Sequence, residues 1–347
     1  MKLIINPSKP FYINKISKNI RMGNFKETGK EIDFEDEVIC DIFKYLKEPK
    51  DYENVVEYIQ KISNYNKEEI MDTINFFIDE KFIIEDDNYN NIISDALYNR
   101  EKLYFYMFND EIIELEKIKD KNLLILGIGA IGSITTELLA RAGFNNFTLV
   151  DNDIVEKSNL IRQLSYTNND ILKYKVGVME KRLKSINKNI KVKTINKFIQ
   201  KEEDIVNEVR NSDFVLCTMD KPYRVIRRLI NDICVKENKP VLFSGFSEHV
   251  GMIGPFVIPD KTACLSCIEK DDMDEPLNNV QVVPSYGPLC TLISSIISDE
   301  IINYFIEYKK NNLIGKTFMF NMYTYNTNII NWEKNSKCKK CGENSAG

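Results

Sequence analysis

The stretch NLLILGIGAIGSITTELLARAGFNNFTLVDND, from Asn122 to Asp153, joins a strand-like apolar run to a helix-like run through Gly127, Gly129 and Gly132. A chain that turns this tightly from strand into helix and returns as a second apolar strand is committed to a βαβ unit with parallel strands. The glycines have separate physical roles: a tight turn, close backbone approach to a phosphate, and close packing of helix on strand. The helix N-terminus then aims N–H groups and a positive dipole end at phosphate. Asp151 follows Gly132 by 19 residues, at the end of the second strand. A carboxylate placed there accepts hydrogen bonds from ribose hydroxyls. Up to this point the pattern suits an intact dinucleotide cofactor and a consumed ATP equally.

The alternation continues through a Lys-rich helix around Lys175 to Ile186, then KVKTIN, FVLCT, a helix near Tyr223 to Glu237, and PVLFSG. The expected fold class is therefore α/β, a Rossmann-like doubly wound and mostly parallel sheet over residues 121–347. Residues 96–120 read as a helical connector. In residues 1–95, DFEDEVICDIFKYL spaces Phe34, Val38, Ile42 and Leu46 by four behind an Asp33 cap, which predicts a helix. Two more amphipathic helices and a short strand, FIIED, follow, so a small winged-helix-like domain is expected. Its third helix carries Glu68, Glu69, Asp72, Asp79 and Glu80, and the first 100 residues hold 14 basic against 20 acidic side chains. DNA phosphates would repel such a surface, which leaves peptide or protein binding, or a structural appendage.

The whole chain of 347 residues carries a net charge of −5, which argues against a nucleic-acid partner. Pro7, Lys9 and Pro10 break up any N-terminal signal sequence. Asn122 to Thr136 is too short to span a bilayer, and Asn278 to Ser298 opens with Asn, Gln and Pro, so it is not expected to form a continuous apolar helix. The expectation is a cytoplasmic protein with no membrane partner. The single histidine, His249, excludes a multi-histidine metal site and reads as structural.

Eight cysteines in such a chain point to metal or thiol chemistry more than to disulfides. Cys264-x-x-Cys267 and Cys338-x-x-Cys341 each fill two corners of a zinc tetrahedron, and with 70 residues between them they would clamp the C-terminal tail to the core. Cys40, Cys217, Cys234 and Cys290 lie in apolar contexts and read as core.

The residues after the ribose acid separate the two nucleotide readings. Hydride transfer needs no dense polar and cationic set there, whereas cleavage of ATP between its α and β phosphates needs positive charge on both fragments. Asn159, Arg162, Gln163 and Lys175 supply it in chain order. With GIGAIG, VDNDIVEKSNLIRQ, Lys175 thirteen positions after Arg162, and LCTMD ending in Asp220, the chain resembles the ThiF, MoeB and ubiquitin-activating-enzyme superfamily of carboxylate adenylators.

The resemblance implies an ATP site made of Gly127, Gly129, Ala130, Gly132, Asp151, Asp153, Asn159, Arg162, Gln163, Lys175 and Asp220. It also implies Asp220 as the magnesium-associated carboxylate, with Arg162 and Lys175 on the phosphates as catalytic groups. Arg100, in YNRE, falls about where the superfamily keeps an arginine that reaches across a homodimer. Ala130 and the Met219-Asp220-Lys221 segment depart from its usual residues. GMIGPFVIPDKTACLSC matches the run that precedes its first zinc pair. Thioester-forming members carry their reactive cysteine in the loop after that pair. IEKDDMDEPLNNVQVVPSYGP has none, so adenylation without a thioester is expected. The N-terminal domain, in the place of a peptide clamp, and MDKP bring the likeness nearest to the peptide-adenylating, microcin C-type members. These imply a short ribosomal precursor peptide as substrate. The alternatives are a sulfur-carrier adenylyltransferase of the thiamine or molybdopterin type and a non-catalytic scaffold that binds a leader peptide.

Overall fold

The computed structural model describes residues 1–26, 28–109, 113–222, 225–268, 284–310 and 312–342. The chain divides into two compact units, Met1–Glu114 and Leu115–Gly347. The first contains β1 (Lys2–Ile5), β2 (Phe11–Asn14), β3 (Asn19–Met22), β4 (Lys30–Asp33), α1 (Val38–Tyr45), β5 (Lys50–Asp51), α2 (Tyr52–Ile62), α3 (Lys67–Asp79), β6 (Ile83–Glu85), α4 (Asp86–Ile93) and α5 (Asn99–Asn109). These strands form two antiparallel sheets, β5-β1-β6 and β2-β3-β4. Phe34, Ile42 and Leu46 are buried in one core with Leu3, Ile20 and Met22, and Val38 packs against it partly buried; of these the helix itself contains Val38 and Ile42, with Phe34 before it and Leu46 at its end. Asp33, expected as the helix cap, instead closes the β4 ladder opposite Asn19. Glu37 occupies the cap position without a side-chain bond, and Asp36 before it accepts the Val38 N–H at 2.9 Å.

The β2-β3-β4 meander was not expected from the sequence. Its turn is local: the Asn14 side chain accepts the N–H groups of Ile16 and Ser17, and Lys18 adopts a left-handed backbone. In α5, Tyr106 is buried with Ile4, Ile84 and Ile92, which ties that helix to the first unit.

The second unit contains α6 (Glu116–Lys119), β7 (Asn122–Leu126), α7 (Ala130–Arg141), β8 (Asn146–Val150), α8 (Lys175–Ile186), β9 (Lys191–Ile195), α9 (Val206–Arg210), β10 (Phe214–Cys217) and α10 (Val225–Lys236). It continues with β11 (Val241–Ser247), β12 (Val250–Val257), α11 (Leu265–Ile268), α12 (Gly287–Ile306), β13 (Lys316–Asn321) and β14 (Thr327–Asn331). Tyr223, at the expected start of α10, and most of the loop after Cys267 lie outside the described residues.

One eight-stranded sheet has the order β14-β13-β12-β11-β10-β7-β8-β9. β9, β8, β7, β10 and β11 run parallel, and β12 to β14 are antiparallel additions. The chain order reverses between β7 and β10, so the crevice at the C-terminal ends of these strands is where a doubly wound sheet accepts a ligand. The glycine loop sits there.

Within the uncharged stretch Asn278 to Ser298, residues 278–283 lie outside the described residues, residues 284–286 are not helical, and α12 begins only at Gly287. Its 20 residues are long and apolar enough to cross a membrane, but more than half of its apolar window is buried in this unit. It packs on α7 and β12. Ser294 and Ser298 hide their hydroxyls by donating to Cys290 O and Ser294 O one turn earlier.

The glycine turn is sterically fixed. Gly127 has φ +91°, and a Cβ on Gly132 would lie 1.9 Å from Gly127 O, whereas one on Gly129 meets nothing within 4 Å. Gly132→Ala is expected to cost at least ~2 kcal/mol in a denaturant titration, and Gly129→Ala less than ~1 kcal/mol. Equal stabilities for the two variants would contradict this packing.

Candidate active site

Asp151, just past β8, is 7% exposed and spans two backbone segments. Oδ2 accepts the Ile128 N–H of the glycine loop at 2.7 Å, and Oδ1 accepts the Asp153 N–H at 2.8 Å. Each oxygen keeps one lone-pair direction for another donor. Burial pushes the Asp151 carboxyl above its ordinary range, while the Lys175 charge and the two N–H groups pull it back.

Lys175 opens α8 and is 5% exposed. Its N–H donates to Asp153 O at 3.0 Å, and its Nζ reaches Asp153 Oδ2 at 2.9 Å. The Asp153 side chain is largely exposed. The buried ammonium is therefore held at the crevice by a carboxylate that water already reaches, so an incoming phosphate can replace that partner at small desolvation cost.

The other residues singled out in the sequence fall into three groups. Asn159 and Gln163 are buried on one short turn, where Asn159 Oδ1 accepts the Glu156 N–H at 3.2 Å. Gln163 Oε1 is buried without any partner, an acceptor waiting for a donor. Arg162 is half-buried between them and donates from Nη1 to Ser158 O at 2.8 Å. The backbone of Ile161 and Arg162 packs on Gly287 at the start of α12. Asp220 is exposed just beyond β10, two residues past Thr218, whose hydroxyl donates to Gly127 O at 2.9 Å. Ala130 is buried at the first position of α7. Arg100 is exposed near the start of α5, in the first unit.

Sequence reasoning missed Tyr166 and the loop-bracing role of Thr218. Tyr166 is 4% exposed, and its hydroxyl donates to Ile128 O at 2.7 Å. The glycine loop is thus gripped at Ile128 from both sides, through its N–H by Asp151 and through its carbonyl by Tyr166. The visible signal was a lone tyrosine inside a polar loop. His249 is half exposed, with its ring edge toward Tyr323 and Nδ1 3.8 Å from Glu248.

Away from the crevice, Cys264, Cys267, Cys338 and Cys341 bring their sulfurs within 4.8 Å of one another, with pair distances of 3.9, 3.8 and 3.4 Å. A tetrahedron with Zn–S bonds of about 2.3 Å has edges of about 3.8 Å. The four thiols therefore match the size and donor chemistry of a zinc site. Asn231 on α10 fixes its entrance by accepting the Leu265 N–H at 2.8 Å. Cys290 and Cys217 differ: burial pushes each thiol up to about 11, in Cys290 despite the Arg162 charge, so neither is poised as a thiolate.

The arrangement has recognisable relatives. The sulfur carrier protein ThiS adenylyltransferase of Bacillus subtilis is 34% identical over 155 residues, 44% of this chain and 45% of that protein. The molybdopterin-synthase adenylyltransferase of Escherichia coli is 28% identical over 228 residues, 66% of this chain and 90% of that protein. Among solved structures, E. coli MccB with MccA-N7isoASN superposes with a TM-score of 0.80 at 21% identity, over 99% of this chain and 100% of that one. E. coli MccB with ATP gives 0.78 at 22% over the same shares. At this identity the likeness shows the fold. Residues 98–340 match the ThiF family, and the chain belongs to it.

Proposed function

We propose that this protein is an ATP- and magnesium-dependent adenylyltransferase that activates the C-terminal carboxylate of a short ribosomal precursor peptide, on the route to a microcin C-like peptide–nucleotide. The observation that carries the reaction class is the crevice itself, where Asp151 holds the glycine loop and buried Lys175 waits on an exposed carboxylate. The unpartnered Gln163 Oε1 suits a ligand hydroxyl or amino group beside them. Membership of the ThiF family supports the same class. The peptide substrate is supported by the likeness to MccB, which extends over 99% of this chain, first unit included. E. coli MccB has been solved in complex with N-formylated MccA.

In the reaction, a carboxylate oxygen of the peptide attacks the α-phosphorus. One P–O bond forms, the α–β bridging P–O bond breaks, and pyrophosphate leaves with the electron pair. An ionised carboxylate needs no general base. Asp151 orients the ribose, and Lys175 and Arg162 meet the negative charge that spreads over the phosphates. Asp220, exposed at the end of β10, is the residue to hold magnesium, which when bound neutralises phosphate charge. Absence of cysteine from the loop after Cys267, together with the raised thiol of Cys290, favours release of the adenylate to chemistry without a thioester. The four-cysteine site holds structural zinc, the enzyme works as a homodimer in the cytoplasm, and Arg100 serves the partner's crevice.

A sulfur-carrier substrate is the second reading, favoured by the B. subtilis and E. coli relatives. It accounts less well for the first unit of 114 residues. A non-catalytic scaffold would have no use for Arg162, Lys175, Asp151 and Asp220 together.

Exchange of labelled pyrophosphate into ATP is expected with short peptides and not with carriers ending in Gly-Gly. Exchange with carriers alone would transfer the assignment to the sulfur-carrier reading, and exchange with neither would end the enzymatic one. Asp220→Ala is expected to lower exchange by roughly two orders of magnitude or more while leaving the melting temperature and metal content unchanged. Metal analysis is expected to return one zinc per chain, and Cys338→Ser to lose that zinc and lower stability. A folded protein without zinc would refute the tetrad.

A further inference from the structure

Another cleft lies along α8, on the same helix that begins with Lys175. It has a volume of about 570 Å³ and is lined among others by Ser165, Leu172, Lys173, Tyr174, Gly177 and Lys181. Such a volume exceeds a single phosphate and falls in the range of small-molecule sites.

Two features of the cleft are unexplained by the chain itself. Ser165 is 1% exposed, and its hydroxyl has no hydrogen-bond partner. A buried hydroxyl left unpaired costs stability, so a missing donor or acceptor is implied beside it. Gly177 lies inside α8 with an ordinary negative φ, and a Cβ built on it meets nothing within 4 Å. Glycine at such a position weakens a helix by about 1 kcal/mol relative to alanine, and neither conformation nor packing requires it. Close approach of a ligand would. Gly129, in the nucleotide crevice, is the same kind of open glycine.

The charges lining the cleft fix the sign of the ligand. Asp170 is occupied by the N–H and hydroxyl of Thr167, with Lys173 3.7 Å away. Arg182 is paired with Glu137. Lys181 is exposed and enters no ion pair among the described residues, which leaves Lys181 and the loosely held Lys173 for an anion. Tyr174 and Leu172 are 54% and 76% exposed beside them, a planar and an apolar surface that water contacts at a cost.

We propose that this cleft binds a nucleoside monophosphate at a site separate from the adenylation crevice. The phosphate lies between Lys173 and Lys181, the base stacks on Tyr174 against bare Gly177, and Ser165 bonds the polar edge of the ligand. Its occupant presses on the first turn of α8, so it bears on the backbone that positions Lys175.

The test is calorimetric titration of the intact protein with AMP, in the presence of a saturating non-hydrolysable ATP analogue. One AMP is expected to bind per chain. Gly177→Leu, which fills the cleft and favours the helix, and Lys181→Glu are each expected to weaken that binding by about tenfold or more. Melting temperatures control for folding, and the affinity for the ATP analogue is expected to stay unchanged. Absence of AMP binding, or binding that neither variant alters, overturns the proposal. Inorganic phosphate binding as tightly as AMP overturns the nucleotide assignment, because Tyr174 and Gly177 would then contribute nothing.

Discussion

The second unit depends on one buried carboxylate. Asp151 accepts the N–H of Ile128 from the glycine loop and the N–H of Asp153 from its own strand end, so it ties the ends of two adjacent parallel strands together. Charge buried this deeply is costly unless it is hydrogen-bonded and faced by an opposite charge, and Lys175 supplies that charge from the start of α8. Asp151 fixes the loop and the strand end, and Asp153 next to it anchors the start of α8 through its carbonyl and its carboxylate. The glycine loop after β7 is held in place by interactions that do not need the nucleotide.

That prior organisation bears on catalysis. Adenylyl transfer requires little covalent chemistry from protein side chains; it requires charge placed in advance where charge will accumulate. Lys175 is already desolvated, and its partner Asp153 is a solvent-exposed carboxylate that can release it. Gly127 and Gly132 cannot carry a side chain because each lies against another part of the loop or against Thr218 and Met219 just past β10, while Gly129 has an open side. The separate roles read for the three glycines in the sequence thus have a steric counterpart, two positions closed to a side chain and one open.

Much of this was legible in the sequence because its signals are local. The apolar runs and glycine spacing gave β7, α7 and β8, and the Lys-rich helix runs from Lys175 to Ile186 as its periodicity suggested. Paired cysteines 70 residues apart converge because two half-sites complete each other only when joined. What escaped depends on tertiary context. Tyr166 looks like any loop aromatic until the fold carries its hydroxyl to Ile128 O. Asp33 has the composition of a helix cap, but the β4 ladder claims it; Glu37 is the cap residue, and Asp36 before it accepts the first helical N–H. The strands of the β2-β3-β4 meander are four residues each, and their alternation was too brief to outweigh the helical patterns after them.

The central claim is that ATP is cut between its α and β phosphates at this crevice by a peptide carboxylate. Phosphorus NMR of a reaction containing the protein, ATP, magnesium and a short peptide substrate tests it most directly. The account predicts pyrophosphate, with the adenylyl phosphorus appearing on the peptide or as AMP. ADP with inorganic phosphate as the products would contradict it.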